Sequence, residues 1–289
     1  MGGANLKSAD NFLIIGGDSR QIYLAEYLKK LGKNVFIYGT AEKSLKCVND
    51  LKAAIVGCDV VVFPLPVTKD NKSVFSVVPM KESLEEILNC IGEENLVFGG
   101  MVTKGMESKL KKNGAKVFDY YKREDVTLMN TVPTVQGILK EIFENIDYTV
   151  HSSKCAVFGY GRVAKITADV LRSLGADVTV CARKGSDITL ARINGLKGCY
   201  ICDFYESAND FDILINTVPS LVIDRKILEN INKNCLIIDV ASAPFGTDFS
   251  TAFEFGIKAL QCPSLPGKVA PKTAGEIIGN GIINIMKEE

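Results

Sequence analysis

The chain carries no excess charge of either sign, one histidine in 289 residues, and no apolar run near the roughly 20 residues that span a bilayer. Each shortage narrows what the protein does. With 34 basic residues against 34 acidic ones, no broad electrostatic footprint for nucleic acid is expected. The N-terminus, MGGANLKSADN, lacks the charged and apolar segments of a secretory signal, and Leu6 stands where a myristoylation site wants Ser or Thr. Nine cysteines are an odd number and sit mostly in apolar runs, as at Cys155, Cys181 and Cys235, which fits reduced buried thiols better than a disulfide framework. The single CxxC, Cys199 to Cys202, lacks two further ligands at zinc spacing, so it reads as a strand edge and no metal is expected.

What remains is a globular composition, 47% hydrophobic and 24% charged, long enough for two domains. Short apolar runs alternate with amphipathic stretches, the βαβα signature of parallel sheets. Strands are expected at 11–17, 34–39, 59–66, 95–100 and 115–120, with a helix over 20–31 ended by Gly32. The second half repeats the scheme: strand 154–161, helix 162–174 ended by Gly175, then strands at 177–183, 211–220, 234–244 and 256–267. A helix over 130–147, starting near Pro133, joins the halves, and another over 273–287 closes the chain. The fold class is therefore α/β: two doubly wound, Rossmann-like domains with parallel sheets, linked by long helices, with a cleft between them. The expected boundaries are 1–130 for a substrate domain, on which residues 275–289 pack back, and 131–274 for a dinucleotide-binding domain.

In the second half, Gly159-Tyr160-Gly161-Arg162-Val163-Ala164 matches GxGxxG/A between a strand and a helix. Gly159 permits the tight turn, Gly161 lets a pyrophosphate approach backbone N–H groups, and Ala164 allows close helix–strand packing. The acid that usually holds the ribose of NAD is absent from the end of the next strand. Arg183, Lys184 and Ser186 offer two cations and a hydroxyl there instead, which selects NADP, with NAD possible. A solvated basic loop is the plainer alternative. Thr217, Val218 and Pro219, then Asp239, end later strands where ligands of open α/β sheets sit, although ordinary turn chemistry explains them equally well. The first half offers only Gly16-Gly17-Asp18-Ser19-Arg20-Gln21, whose aspartate would repel a phosphate. Asp18 or Ser19 reads as a helix N-cap, and Arg20 with Gln21 reads equally as an anchor for a substrate carboxylate.

His151 precedes the cofactor domain's first strand, a poor position for a general base, so chemistry falls to Lys, Ser, Thr, water or the substrate. Candidate groups gather in three apparent cleft loops, 64–68, 130–134 and 264–275. From these and the strand end at 239–242, Lys268, Thr134 and Ser242 are the catalytic candidates. The last loop also reads as a plain linker, with Thr273 capping the final helix.

GGDSRQ near the N-terminus, VFGYGRVA, CAR followed by LARI, INTVPS, IDVASAPFGTDF and GIKAL…SLPGKVAPKTAG run in order along nearly the whole chain. Together they resemble the A-subunit family of dipicolinate synthase. The resemblance implies an enzyme of spore-forming bacteria, in the mother-cell cytoplasm, at a branch of lysine biosynthesis. It would oxidise dihydrodipicolinate, or its hydrated precursor, to pyridine-2,6-dicarboxylate, working with the flavoprotein-like B subunit of dipicolinate synthase. Such a substrate carries two carboxylates, for which Arg20, Gln21 and Lys272, together with Lys268, are the candidate partners. A homo-oligomer is expected from the two-domain type. The alternatives are another NADP-linked hydroxy- or amino-acid dehydrogenase and a non-enzymatic NADP-sensing module.

Overall fold

The structure is a computed structural model that describes residues 9–40 and 45–289. The leader and myristoylation readings fall on residues 1–8, Leu6 among them, and so lie outside the described residues. In chain order the elements begin with β1 (Asn11–Ile15), α1 (Ser19–Lys30), β2 (Asn34–Tyr38), β3 (Lys46–Cys47), α2 (Leu51–Val56) and β4 (Val60–Val62). There follow α3 (Leu84–Asn89), β5 (Leu96–Gly99), α4 (Lys104–Lys112), β6 (Lys116–Asp119), α5 (Glu124–Met129) and α6 (Thr131–Asn145). Next come β7 (Lys154–Phe158), α7 (Arg162–Ser173), β8 (Asp177–Ala182), α8 (Gly185–Ile193), β9 (Lys197–Tyr200) and β10 (Ile213–Asn216). The chain ends with α9 (Arg225–Asn230), β11 (Leu236–Asp239), α10 (Phe249–Glu254), β12 (Lys258–Gln261), α11 (Leu265–Val269) and α12 (Pro271–Glu288).

Two compact units result, one from Met1–Asn130 with Ala270–Glu289 and one from Thr131–Val269. The first holds a six-stranded parallel sheet in the order β3-β2-β1-β4-β5-β6, and the second one in the order β12-β11-β10-β7-β8-β9. Counted from each unit's own first strand, both follow the doubly wound order 3-2-1-4-5-6, with the order reversing beside β1 and beside β7. A sheet covered on both faces needs strands apolar at every position, and Phe12-Leu13-Ile14-Ile15 and Cys155-Ala156-Val157-Phe158 are buried throughout. Alternate residues feed opposite faces: Phe12 and Ile14 join one core, Leu13 and Ile15 the other. Cys155 and Val157 likewise part from Ala156 and Phe158.

In each unit the glycine after the first helix takes the left-handed conformation that ends it, with φ of +83° at Gly32 and +86° at Gly175. In the first unit α12 lies along α1, and its Ile278, Ile282, Ile285 and Met286 join the core of Phe12 and Ile14. Close approach of the two helices needs glycine, because a Cβ at Gly275 would stand 2.5 Å from the Arg20 carbonyl oxygen.

Several elements differ from the sequence expectation. The run 256–267 is a strand only over Lys258–Gln261, after which Leu265–Val269 turn into α11. The last helix starts at Pro271, so Thr273 lies inside it and caps nothing; proline in the first turn needs no N–H partner. The runs 59–66 and 211–220 stop as strands at Val62 and Asn216, and residues 63–83 form no regular strand or helix beyond one bridge to Gly17. The sheet edge β3 carries too little apolar alternation to be seen in sequence, whereas the strand edge read at Cys199–Cys202 lies two residues earlier, as β9.

Candidate functional site

The two glycine turns sit at equivalent points of the two units and are built differently. In the first unit the donors are spent within the chain. Gly16 N–H bonds Tyr38 O and Gly17 N–H bonds Phe75 O, each at 2.7 Å. Asp18 N–H bonds the Gln21 side chain, while the Asp18 carboxylate accepts from Arg20 N–H, completing a capping box. Segment 75–77 lies where a phosphate would otherwise enter, since a Cβ on Gly16 would meet Phe75 O at 2.9 Å. The aspartate adds negative charge at the helix N-terminus.

The second turn is open. Gly159 follows β7 with φ of +92°, and its N–H is held by Cys181 O at 2.8 Å. A Cβ there would strike the Thr217 hydroxyl at 2.7 Å, which brings Thr217 and Val218 against the turn. Gly161 is the N-cap of the 12-residue α7; among the described residues no side chain caps it, and a Cβ there would have no neighbour within 4 Å. The helix has no acidic residue in its first turn. A helix start with no side-chain cap bond and no acid in its first turn, the positive end of the helix dipole and the open space at Gly161 together make an anion cradle. Arg162 is exposed beside it, and Val163 packs partly into the core. Tyr160 points away: its ring is buried in the core and its hydroxyl accepts from Asn194 at 3.1 Å, so only its backbone faces the turn.

At the carboxyl end of β8, Ala182 is buried, whereas Arg183, Lys184 and Ser186 are exposed around the start of α8. Lys184 is the N-cap of that helix and, among the described residues, no side-chain cap bond is made there. Asp187 supplies the only acid of the first turn. Tyr200, which sequence reasoning missed, stands at the same end with its hydroxyl 3.0 Å from the Cβ position of Gly185. Its strand, β9, covers the first half of the strand edge read at Cys199–Cys202, but the pairing that sets Tyr200 opposite Ala182 was not legible.

Asn216 and Asp239 end β10 and β11, both fully buried. The Asp239 carboxylate accepts from Ala241 N–H, Gly246 N–H, the Thr247 hydroxyl and the Asn216 amide at 2.8–3.0 Å. Its oxygens are turned into the loop it anchors, and Ser242 lies exposed on that loop. Pro219 is exposed beyond Val218. In the same unit, α6 and α11 meet where Gly137 faces Leu265, so Thr134 and Lys268 stand on neighbouring helices. His151 is exposed at the other end of the sheet, its ring against Gly175 and its Nδ1 2.9 Å from the Ser152 hydroxyl.

In the first unit Arg20 and Gln21 are buried. The Arg20 guanidinium grips the Asp18 carboxylate through Nε and one terminal nitrogen, each at 2.8 Å, and also donates to Leu65 O at 2.6 Å. The Gln21 amide nitrogen is buried with no hydrogen-bond partner among the described residues. Because Gly275 lies on Arg20 and Gly279 on Tyr27, α12 and α1 run in the same direction. Exposed Lys272, in the first turn of α12, therefore lies at the same end as Arg20.

Residues 11–121 match the N-terminal domain of the dipicolinate synthase A subunit, and residues 149–281 match the acetohydroxy acid isomeroreductase NADPH-binding domain. The dipicolinate synthase A subunit of Bacillus subtilis (strain 168) is 31% identical over 283 residues, covering 95% of each chain. The chain belongs to the A-subunit family of dipicolinate synthase. The crystal structure of the dipicolinate synthase A subunit from Bacillus halodurans superposes with a TM-score of 0.85 at 28% identity over the whole of both chains. That of the Bacillus subtilis protein gives 0.83 at 31% identity, over 99% of this chain and 98% of the other. Within this member of the dipicolinate synthase family, the open turn thus falls inside the stretch similar to an NADPH-binding domain, and the closed turn inside the family's own N-terminal domain.

Proposed function

We propose that the chain is an NADP-dependent dehydrogenase that oxidises dihydrodipicolinate, or its hydrated precursor, to pyridine-2,6-dicarboxylate. The observation that carries the cofactor reading is the open cradle at Gly159–Gly161 followed by exposed Arg183, Lys184 and Ser186. The similarity of residues 149–281 to an NADPH-binding domain supports it, and membership of the dipicolinate synthase A-subunit family supports the proposed product. When bound, NADP would supply the hydride acceptor. The N–H groups at the start of α7 would hold its pyrophosphate, with Arg162 and the backbone of Tyr160 and Val163 around them. Arg183, Lys184 and Ser186 would hold the 2′-phosphate, and Thr217, Val218 and Pro219 would border the turn. Asp239 would act on this site through the loop it anchors.

The substrate loses a hydride and a proton to become aromatic, so a dedicated histidine is not required. Lys268, Thr134 and Ser242 are the groups proposed to take that proton, or to assist loss of water from a hydrated precursor. Arg20, Gln21 and Lys272 are proposed to bind the carboxylates. Arg20's charge is already answered by Asp18, so Lys272 carries more of the attraction, and the Gln21 amide nitrogen, with no partner among the described residues, is a donor awaiting an acceptor. A flavoprotein-like partner, the B subunit of dipicolinate synthase, belongs to the same reading, as do a homo-oligomeric state and a place in the mother-cell cytoplasm of a sporulating bacterium.

The test is NADPH formation from freshly generated dihydrodipicolinate, comparing NADP with NAD, with and without the flavoprotein-like partner. Turnover that prefers NADP is the expected result. Turnover only with the partner would make this chain one part of a shared site. Dinucleotide binding without turnover in either condition would replace the enzyme by a sensing module.

A further inference from the structure

The thiols of Cys181 and Cys199 lie on neighbouring strands at paired positions of the β8–β9 register, with their sulfurs 3.5 Å apart. Neighbouring strands stand about 4.8 Å apart, within the Cα separation that disulfides bridge, and the sulfurs need close by only about 1.5 Å. The two differ in access. Cys181 is fully buried, while Cys199 is half-buried and opens on a cavity of about 260 Å³ lined also by Lys154, Thr179, Lys197 and Ser207.

We propose that Cys199 is a site of oxidation by a small neutral hydroperoxide, and that Cys181 resolves the product into an intrachain disulfide. The cavity's charges favour a neutral reagent, because Lys197 is paired with Asp177 at 2.5 Å and Lys154 lies 3.9 Å from Asp210. In the first step the Cys199 thiolate attacks one peroxide oxygen, the O–O bond breaks, and water or an alcohol leaves after taking a solvent proton. Cys199, oxidised by two electrons, becomes a sulfenic acid. In the second step the Cys181 sulfur attacks the Cys199 sulfur, the S–O bond breaks, and the hydroxyl leaves as water with the Cys181 proton.

The proton distribution agrees with that division of labour. Burial holds the Cys181 thiol far above its usual range, so it keeps its proton. The contact between the two sulfurs lowers the Cys199 thiol, with nearby Arg192 adding to the effect and burial and Asp203 opposing it. Exposed Cys202 is instead raised by its hydrogen bond with Asp203. The thiolate, which is the nucleophile, is therefore favoured at Cys199 rather than at the more exposed cysteine.

The experiment treats the full chain with stoichiometric hydrogen peroxide, alkylates the remaining thiols in denaturant, and maps the modified cysteines by mass spectrometry. A Cys181–Cys199 crosslink is expected, with the other seven of the nine cysteines alkylated. Cys181→Ala should leave Cys199 as a sulfenic acid that a dimedone probe traps. Cys199→Ser should abolish the crosslink and slow peroxide consumption. The proposal is overturned if Cys202 is oxidised while Cys199 stays alkylatable, or if Cys199 links to Cys202 in the wild type. Cys199→Ser tests the first step without altering the buried position, so a Cys181 variant that folds poorly does not protect the idea.

Discussion

In the proposed reading, the choice of cofactor turns on Arg183. It stands exposed at the end of β8, where an acid would hold the ribose of NAD. A hydrogen bond to a charged group contributes about 1.5–3 kcal/mol, so Arg183→Ala should lower kcat/KM with NADP roughly 10- to 100-fold. With NAD the value should hardly change, since the 2′-phosphate is the only group Arg183 is proposed to meet. Equal losses with both cofactors would remove Arg183 from the phosphate site. Its place at the exposed end of β8 was legible from the βαβ spacing. Asp239 was half legible. Its position at a strand end follows from the pattern, but the direction of its carboxylate depends on Asn216, Gly246 and Thr247, which close on it only after folding. Asp239→Ala removes four acceptor contacts and leaves buried donors unpaired, costing about 3 kcal/mol of stability. Urea unfolding measures that loss; an unchanged midpoint would mean that water replaces the carboxylate.

Among the elements, the glycine turns and the helices after them were readable because one local pattern dictates them: strand, turn, helix, left-handed glycine. Strand ends were less so, since in a run such as 211–220 the β-branched Thr217 and Val218 continue the strand pattern after Asn216 has already turned the chain. The edge strands β3 and β9 depend on pairing with a neighbour, not on their own residues, and Gly198 inside β9 weakens even that signal. Caps are local and testable. The Asp248 carboxylate accepts from Thr251 N–H and from the Ser250 and Thr251 hydroxyls at the start of α10. The Thr251 N–H bond foremost pulls its pKa down to about 2. A carboxyl lowered by folding stabilises the native state fully above its unfolded value near 4, and that contribution fades as pH falls toward 2. Asparagine can still cap the helix but does not titrate. The stability difference between wild type and Asp248→Asn should therefore shrink from pH 5 to pH 3 in denaturant titrations. A difference that does not move with pH would show that the charge contributes nothing there.

At the scale of the whole molecule, one strand order is used in both units, yet the two glycine turns are not equivalent. The repeated plan was visible in the sequence, as was the aspartate that sets the first turn apart. The entry of segment 75–77 into that turn was not, because it comes from a long irregular stretch with no periodicity of its own. In the proposed reading, that segment and Asp18 keep a second dinucleotide from the first turn. In the first unit the donors at Gly16, Gly17, Asp18 and Arg20 already have acceptors, so a phosphate would have to displace backbone bonds and sit beside a carboxylate. In the second unit the turn is open, with nothing within 4 Å of a Cβ built on Gly161. Calorimetric titration with NADP should accordingly give one site per chain. At a ligand concentration of 100 times Kd, a single site adds about 2.7 kcal/mol to stability. Replacing Gly161 by aspartate should abolish both the heat and the stabilisation, since it sets a negative charge in the cradle where the pyrophosphate would lie. Two sites per chain, or one site that survives Gly161→Asp, would place the dinucleotide at the first turn and reverse the assignment of the two units.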